Sequence, residues 1–428
     1  MTMERNQHPF TPSVLLKRLR ETLTESPPFC HGTLQLPHED FQLYYGKKQA
    51  QYIDFTEIAQ DAAGVQALQD ACEPAPFGRN DETVLDETYR KAGKMDADNF
   101  VMRFDAEHAG LIEIVREGLL TGSEETKGIR AELYKLNVYG KCAFFKPHLD
   151  TPRSDDMFAS LVVVLPPPHE GGELVLRHDG KEWSFDSSRL LAGAVDRIAF
   201  VAFFSDVEHE VMPVLSGHRV TLTYNLYFAT DEVRRPPQDR LTLLRPLHGN
   251  AGHIKDALLA YLSNPQVLPE GGMLGFGLRH AYPVPRVSGD PVAVVKKGLK
   301  GSDVALYCAC EALGMKPRLR LFMEKPQRGY MFGSMKNLTD RTGDGSRDVY
   351  FKKYAGVVKV RDEKLSDDSE SESDAGSPGG WFPKKAPRVP VYWVTKRDSR
   401  NSTKQAYMCW GNEASIDHFY VRVALVAN

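Results

Sequence analysis

Residues 197–228 read RIAFVAFFSDVEHEVMPVLSGHRVTLTYNLYF. Three runs in it, Arg197 to Phe204, Glu208 to Val214 and Arg219 to Phe228, are rich in β-branched and aromatic residues, and Ser216-Gly217 signals a turn before the last. Alternation along the last run puts Arg219, Thr221, Thr223 and Asn225 on one face of a strand, with Val220, Leu222, Tyr224 and Leu226 on the other. Such a strand belongs in the middle of a sheet. Its polar face therefore needs an occupant or a buried network.

The same texture extends upstream to Ala131. Strand-like runs stand at Glu132 to Tyr139, Phe144 to Asp150, Ala159 to Leu165, Glu173 to Arg177 and Trp183 to Asp186, with turn signals at Pro166-Pro167-Pro168, Gly171-Gly172 and His178-Asp179-Gly180. No convincing helix intervenes. Eight strands in succession suit a double-stranded β-helix, a jelly roll, so the expected fold class is α+β with a jelly-roll core flanked by helices. Three regions are expected: a mixed, largely helical support region over 1–130, the jelly-roll domain over 131–230, and a mixed α/β region over 231–428. In the first, Thr11-Pro12 opens a helix carrying Leu15, Leu16, Leu19 and Leu23, a second helix is expected around Ile58 to Cys72, and Leu111, Ile112, Val115 and Leu119 form a helical stripe that covers one side of a sheet. In the last, helices are expected at Ile254 to Leu262 and Asp303 to Leu313, and the acidic run RDEKLSDDSESESDAGSPGG, 361–380, reads as a disordered loop followed by strand-like runs at Val391 to Val394 and His418 to Val426.

Composition sets the outer bounds. The 428 residues are 42% hydrophobic, enough to bury a substantial core, and 54 basic against 57 acidic residues give no general reason to expect nucleic acid or an anionic membrane as a partner. No run approaches the roughly 18 apolar residues that span a bilayer, and the opening MTMERNQHPFTPS lacks the apolar segment of a secretory signal, so the expected location is cytoplasmic or nuclear. Six cysteines in so long a chain do not make a disulfide framework; Cys308 and Cys310 read as small core residues.

His148 and Asp150, in FFKPHLDTP, are two apart and would present an imidazole and a carboxylate to one face of the sheet. His209, in SDVEHEV, is far enough along the chain for the strands to return beside them. Two histidines and a carboxylate make a facial triad that leaves the opposite side of an iron(II) ion open. With 13 histidines an isolated His-x-Asp is cheap, and His38-Glu39-Asp40 is one without such a setting. Glu208 and Glu210 alternate away from His209. Arg219 offers a planar fork suited to a carboxylate.

Residues 131–229 resemble the catalytic domain of the prolyl 4-hydroxylase-like branch of the iron(II)/2-oxoglutarate oxygenases. The likeness rests on LNVYGKCAFFKPHLDTPR, PHEGGELVLRHDG and SDVEHEVMPVLSGHRVTLTYNL. It implies that His148, Asp150 and His209 bind iron(II), that Arg219 anchors 2-oxoglutarate, that Tyr139 donates its hydroxyl to the cosubstrate and that Thr221 assists. It also implies hydroxylation of a substrate with succinate and carbon dioxide as coproducts, and ascorbate as a candidate reductant. A substrate, protein or small molecule, is left unidentified; prolyl and other protein side chains are candidates. Arg153, following the metal pair, is weighed as a lid or substrate contact against a simply exposed loop arginine. Two other classes stay open at this point. One is a noncatalytic jelly-roll scaffold; the other is a zinc-type hydrolase on the same triad, for which Arg219 has no use.

Overall fold

A computed structural model describes residues 11–47, 49–57, 62–79, 82–121, 124, 127–229, 241–243, 251–269, 271–285, 291–325, 328–332, 358–360, 391–395, 418–421 and 423–427. Contacts divide the chain into two compact units that do not follow chain order: residues 1–25, 250–402 and 419–428 form one, and residues 26–249 with 403–418 the other. The larger unit holds every candidate residue singled out above.

That unit is built on two antiparallel sheets. The strands of these two sheets and of a short ribbon, in chain order, are β1 (Phe29–Gln35), β2 (Glu73–Pro74), β3 (Arg90–Lys91), β4 (Gly93–Asp96), β5 (Gly128–Tyr139), β6 (Phe144–His148), β7 (Met157–Val164), β8 (His169–Gly171), β9 (Leu174–His178), β10 (Lys181–Phe185), β11 (Arg197–Phe204), β12 (Glu208–Val211), β13 (Val214–Gly217), β14 (Arg219–Ala229) and β15 (Leu241–Leu243). Eight of them run β15-β1-β11-β7-β14-β5-β4-β2, five run β10-β9-β12-β6-β3, and β8 with β13 makes a short ribbon. All eight strands read from the sequence between 132 and 228 are present, four in each large sheet. The stretch expected as Glu208 to Val214 is divided, because β12 ends at Val211 and Val214 opens β13.

Burial explains the central places. In β7, MFASLVVV, only Val162 is not fully buried, as a strand covered on both faces requires. β14 lies between β7 and β5, and its Val220, Leu222 and Leu226 join the main core. The helix Leu111–Leu119 touches β1, β5 and β11 through the expected stripe, with Ile112, Val115 and Leu119 buried.

The stretch expected as a separate support region supplies strands to both sheets. β1 pairs with β11 from Phe29↔Phe203 to Gln35↔Arg197, and β3 pairs with β6. Pairing of this kind joins residues far apart in the chain, so local periodicity gives no sign of it. The helix near Ile58 is observed as Ala62–Ala71; residues 58–61 lie outside the described residues.

The other unit is mixed. Its helix Pro12–Leu23 buries Leu15, Leu19 and Leu23 and packs with Ala251–Leu262, which packs in turn with Ser302–Ala312. Its six-stranded sheet runs Val358–Val360, Arg328–Phe332, Arg318–Lys325, Val423–Ala427, Met273–Gly277, Val391–Trp393, with only the last pair parallel. Cys310 is buried, and the five described cysteines are free thiols. The acidic run 361–380 lies outside the described residues.

Candidate metal and cosubstrate site

His148 closes β6 and His209 lies on β12, and the two are directly opposed in the ladder. Their neighbours are not evenly matched: Phe145 opposes Val211, so three steps along β6 face two along β12. This bulge turns the end of β6 and lets Asp150, just beyond it, come round to the same point. One ligand atom from each of His148, Asp150 and His209 lies within 4.8 Å of the others, and all three residues are buried. His209 Nε2 is 3.8 Å from Asp150 Oδ1, and the imidazole centroids are 4.2 Å apart.

Each imidazole is oriented from its own strand. Nδ1 of His148 lies 2.8 Å from the carbonyl oxygen of Lys146, and Nδ1 of His209 lies 3.0 Å from that of Val207. A carbonyl accepts only, so Nδ1 carries the proton and Nε2 keeps its lone pair, the tautomer a metal ligand needs. Burial and the adjacent His209 hold His148 well below the usual imidazole range, which also favours the neutral ring. Asp150 is fixed by Ser160 of β7, whose hydroxyl donates to Oδ2, leaving Oδ1 on the His209 side.

Aromatic rings wall this point. Phe145 stacks on His148 with centroids 3.5 Å apart, Phe203 stands 4.6 Å from His209, and the Arg90 guanidinium lies 4.3 Å over Phe145. Such walls exclude water and sharpen every electrostatic interaction inside them.

The eight-stranded sheet supplies the other half. Arg219, Thr221 and Asn225 of β14 are all buried on the face anticipated as polar. Across the ladder Tyr139 opposes Arg219, Asn137 opposes Thr221, and Ser160 of β7 opposes Asn225. The Arg219 guanidinium lies 5.7 Å from the centre of the Tyr139 ring. Its Nε and Nη2 are buried without a hydrogen-bond partner among the described residues. Burial lowers the arginine to about 10, which leaves it charged at neutral pH.

Several contributors were not visible in the sequence. Ser160 is a lone hydroxyl in an apolar run, and its period-two placement on the Asn225 side was the available clue. Arg90 donates to Asn137 Oδ1 at 3.0 Å from a stretch that carried no fold assignment. Lys135 is buried on β5 next to a ladder irregularity between Leu133 and Lys135, with its Nζ 3.8 Å from the Tyr134 ring. Burial and the charges of Arg90, Lys94 and Arg153 push its ammonium down to about 6. Arg153 lies over the same Tyr134 ring at 4.2 Å. Glu208 and Glu210, on either side of His209 in the strand, pair with Arg177. His38 of the isolated His-x-Asp is exposed on a short 3-10 helix beside Asp54 and joins no metal-type cluster among the described residues.

Residues 134–227 match the model of the 2OG-Fe(II) oxygenase superfamily, a segment that contains all six site candidates. The chain carries a 2OG-Fe(II) oxygenase domain. It is an oxidoreductase of the dioxygenase type, and the family implies iron(II) and 2-oxoglutarate as its cofactor and cosubstrate. No curated protein matches the chain. Among solved structures it is similar to a Pseudomonas putida prolyl-4-hydroxylase, 19% identical over 50% of this chain and 99% of that one, TM-score 0.30. It is similar also to a Burkholderia pseudomallei oxidoreductase of the 2OG-Fe(II) oxygenase family, 18% identical over 54% and 98%, TM-score 0.24. A Trichoplax adhaerens prolyl hydroxylase in complex with a hypoxia inducible factor oxygen degradation domain peptide is 18% identical over 52% and 95%, TM-score 0.29. No helix among the described residues is long and apolar enough to cross a membrane.

Proposed function

We propose that His148, Asp150 and His209 hold iron(II) in the oxygenase domain and that Arg219 takes the far carboxylate of 2-oxoglutarate. What carries the second assignment is the unsatisfied pair on Arg219. Nε and Nη2 form one edge of the guanidinium, and an edge is what a carboxylate accepts with two parallel hydrogen bonds. A buried cation with an unused fork is costly unless a ligand completes it. For the metal, the support is the donor set: two imidazoles and one carboxylate, each already oriented by a hydrogen bond.

Iron(II) bound with 2-oxoglutarate and dioxygen supplies the oxidising power to hydroxylate a C–H bond, giving succinate and carbon dioxide as coproducts. The chain's own residues orient and protect. Ser160 holds Asp150 toward His209, Phe145 and Phe203 keep water from the imidazoles, and Tyr139 and Thr221 line the side of β14 and β5 on which Arg219 lies. Two sheets of four core strands each, β11-β7-β14-β5 and β10-β9-β12-β6, support a double-stranded β-helix as the frame. Ascorbate is proposed as the reductant that returns the metal to iron(II). The substrate is proposed to be a protein side chain, proline foremost, on the motifs shared with the prolyl 4-hydroxylase-like branch; the cytosol or nucleus is proposed as the place of action.

The test is succinate formation by purified protein given iron(II), 2-oxoglutarate and dioxygen together with cell extract, followed by a search for peptides heavier by one oxygen. Omitting any one of the three should stop succinate formation. Turnover indifferent to 2-oxoglutarate would refute the proposal in favour of metal-assisted hydrolysis.

A further inference from the structure

Arg219 enters the site past a ribbon whose glycines allow an unusually close approach. β8 and β13 pair through His169↔Gly217, Glu170↔Ser216 and Gly171↔Val214, and the chain leaves β8 through Gly172, whose φ is +73°. The ribbon also holds the turn between β5 and β6, since Cys142 N donates to Val214 O at 2.8 Å and Val214 N to Ala143 O at 3.0 Å. It thus braces the turn just beyond Tyr139 while its own glycine faces the stem of Arg219. A methyl group on Gly172 would sit 3.0 Å from Arg219 Cδ and 2.9 Å from Val214 Cγ2. Both distances are shorter than carbon atoms accept without displacement. A side chain at position 172 would therefore have to displace the Arg219 stem by a few tenths of an ångström.

His169, on the same ribbon, lies within electrostatic reach of Arg219 without competing for it. Its Nδ1 is 3.0 Å from the carbonyl oxygen of Pro167, so that nitrogen donates, and Nε2 at 3.1 Å from Ser187 Oγ accepts the hydroxyl proton. Both ring nitrogens are committed, and the ring is neutral. The ribbon packs against the anchor while offering it neither a carboxylate nor an acceptor.

We infer that Gly172 is a positioning residue for cosubstrate binding: the space it leaves for Cδ sets the depth at which the Arg219 fork meets a dicarboxylate. This rests on the proposed role of Arg219. Removal of the space should tilt the fork and weaken 2-oxoglutarate, with the metal half of the site untouched.

Gly180 provides the matched control. Its φ of +72° imposes the same backbone strain on any replacement, yet a methyl group there meets nothing within 4 Å. The experiment measures 2-oxoglutarate binding by calorimetry under anaerobic conditions on manganese(II)-loaded wild type, Gly172→Ala and Gly180→Ala, with manganese affinity and melting temperature recorded for each. The expected result is a similar loss of melting temperature in both variants and unchanged manganese affinity. Only Gly172→Ala should lose 2-oxoglutarate affinity, by about tenfold, or about 1.4 kcal/mol. Wild-type affinity in Gly172→Ala, or an equal loss in Gly180→Ala, overturns the inference while leaving the role of Arg219 standing. If Gly172→Ala does not fold, it is combined with Val214→Ala, which removes the Cγ2 contact and leaves Arg219 alone in the path of the methyl group. Failure of the double variant to fold, or wild-type affinity in it, also overturns the inference. Wild-type protein that binds manganese but no 2-oxoglutarate refutes the cosubstrate assignment itself, and this inference falls with it.

Discussion

The five-stranded and eight-stranded sheets furnish one site in opposite ways. On the five-stranded side both imidazoles already have a carbonyl partner, so what they present is one prepared lone pair each. On the eight-stranded side Arg219 presents a charged edge with no partner among the described residues. The first half is satisfied before any ligand arrives, and the second is left wanting one. The contrast separates the two proposed roles by how much of each half's polarity is already satisfied: oriented donors suit a metal, and an unpartnered fork suits a carboxylate.

The strongest way to break this contrast is at the metal half. Asp150→Ala should weaken iron binding and succinate formation by more than about a hundredfold, since losing only a residue behind a ligand already costs about tenfold to a hundredfold. Metal titration followed by a succinate assay checks it. At the other half, Arg219→Ala should leave the metal bound yet weaken 2-oxoglutarate by about 2–5 kcal/mol, the usual loss when one member of a buried charge pair is truncated. Calorimetry would show the split. Equal damage to metal and cosubstrate binding would mean that the two halves are one network after all.

Ser160→Ala sharpens the boundary between them, because Ser160 belongs to the eight-stranded sheet but holds a ligand of the metal. A loss of about tenfold to a hundredfold in metal affinity is expected, with 2-oxoglutarate binding unchanged once metal is saturating. The effect that leaves both halves of the site untouched concerns Lys135. Its folded pKa of about 6 lies below the ordinary 10.5, so between those values the unfolded chain binds the extra proton and stability rises with pH. The cost of burying it is complete below pH 6 and vanishes near 10.5. Lys135→Met should therefore stabilise the fold at pH 7 by an amount on the order of a few kcal/mol, read from denaturant unfolding, with the gain shrinking in alkaline buffer. A gain independent of pH would point to packing instead of charge.

Much of the catalytic core was legible from the sequence because its signals are local. The alternation of RVTLTYNLYF announced a polar face on a central strand, and the structure brings His148, Asp150 and His209 to one point with Arg219 buried on that face. The period-3.6 stripe of Leu111–Leu119 was equally plain. Residues that support the site were not. Arg90 reaches Asn137 from β3, and β1 reaches β11, through pairings between distant parts of the chain that leave no periodic trace. Gly172 was read only as half of a turn signal; that its missing side chain matters to Arg219 depends on a contact made across the ribbon. The bulge opposite His209 had a single local cue, Pro147 in FFKPHLD, which has no N–H to give the ladder and so marks an edge or a bulge without saying which residue of the partner strand it faces.

The two imidazoles hang from carbonyl groups two residues upstream in their own strands, Lys146 for His148 and Val207 for His209. Neither tether involves another ligand or an ion. Ring orientation is thus set within each strand, so the proposed site would exchange iron(II) for another divalent metal without any change in strand pairing.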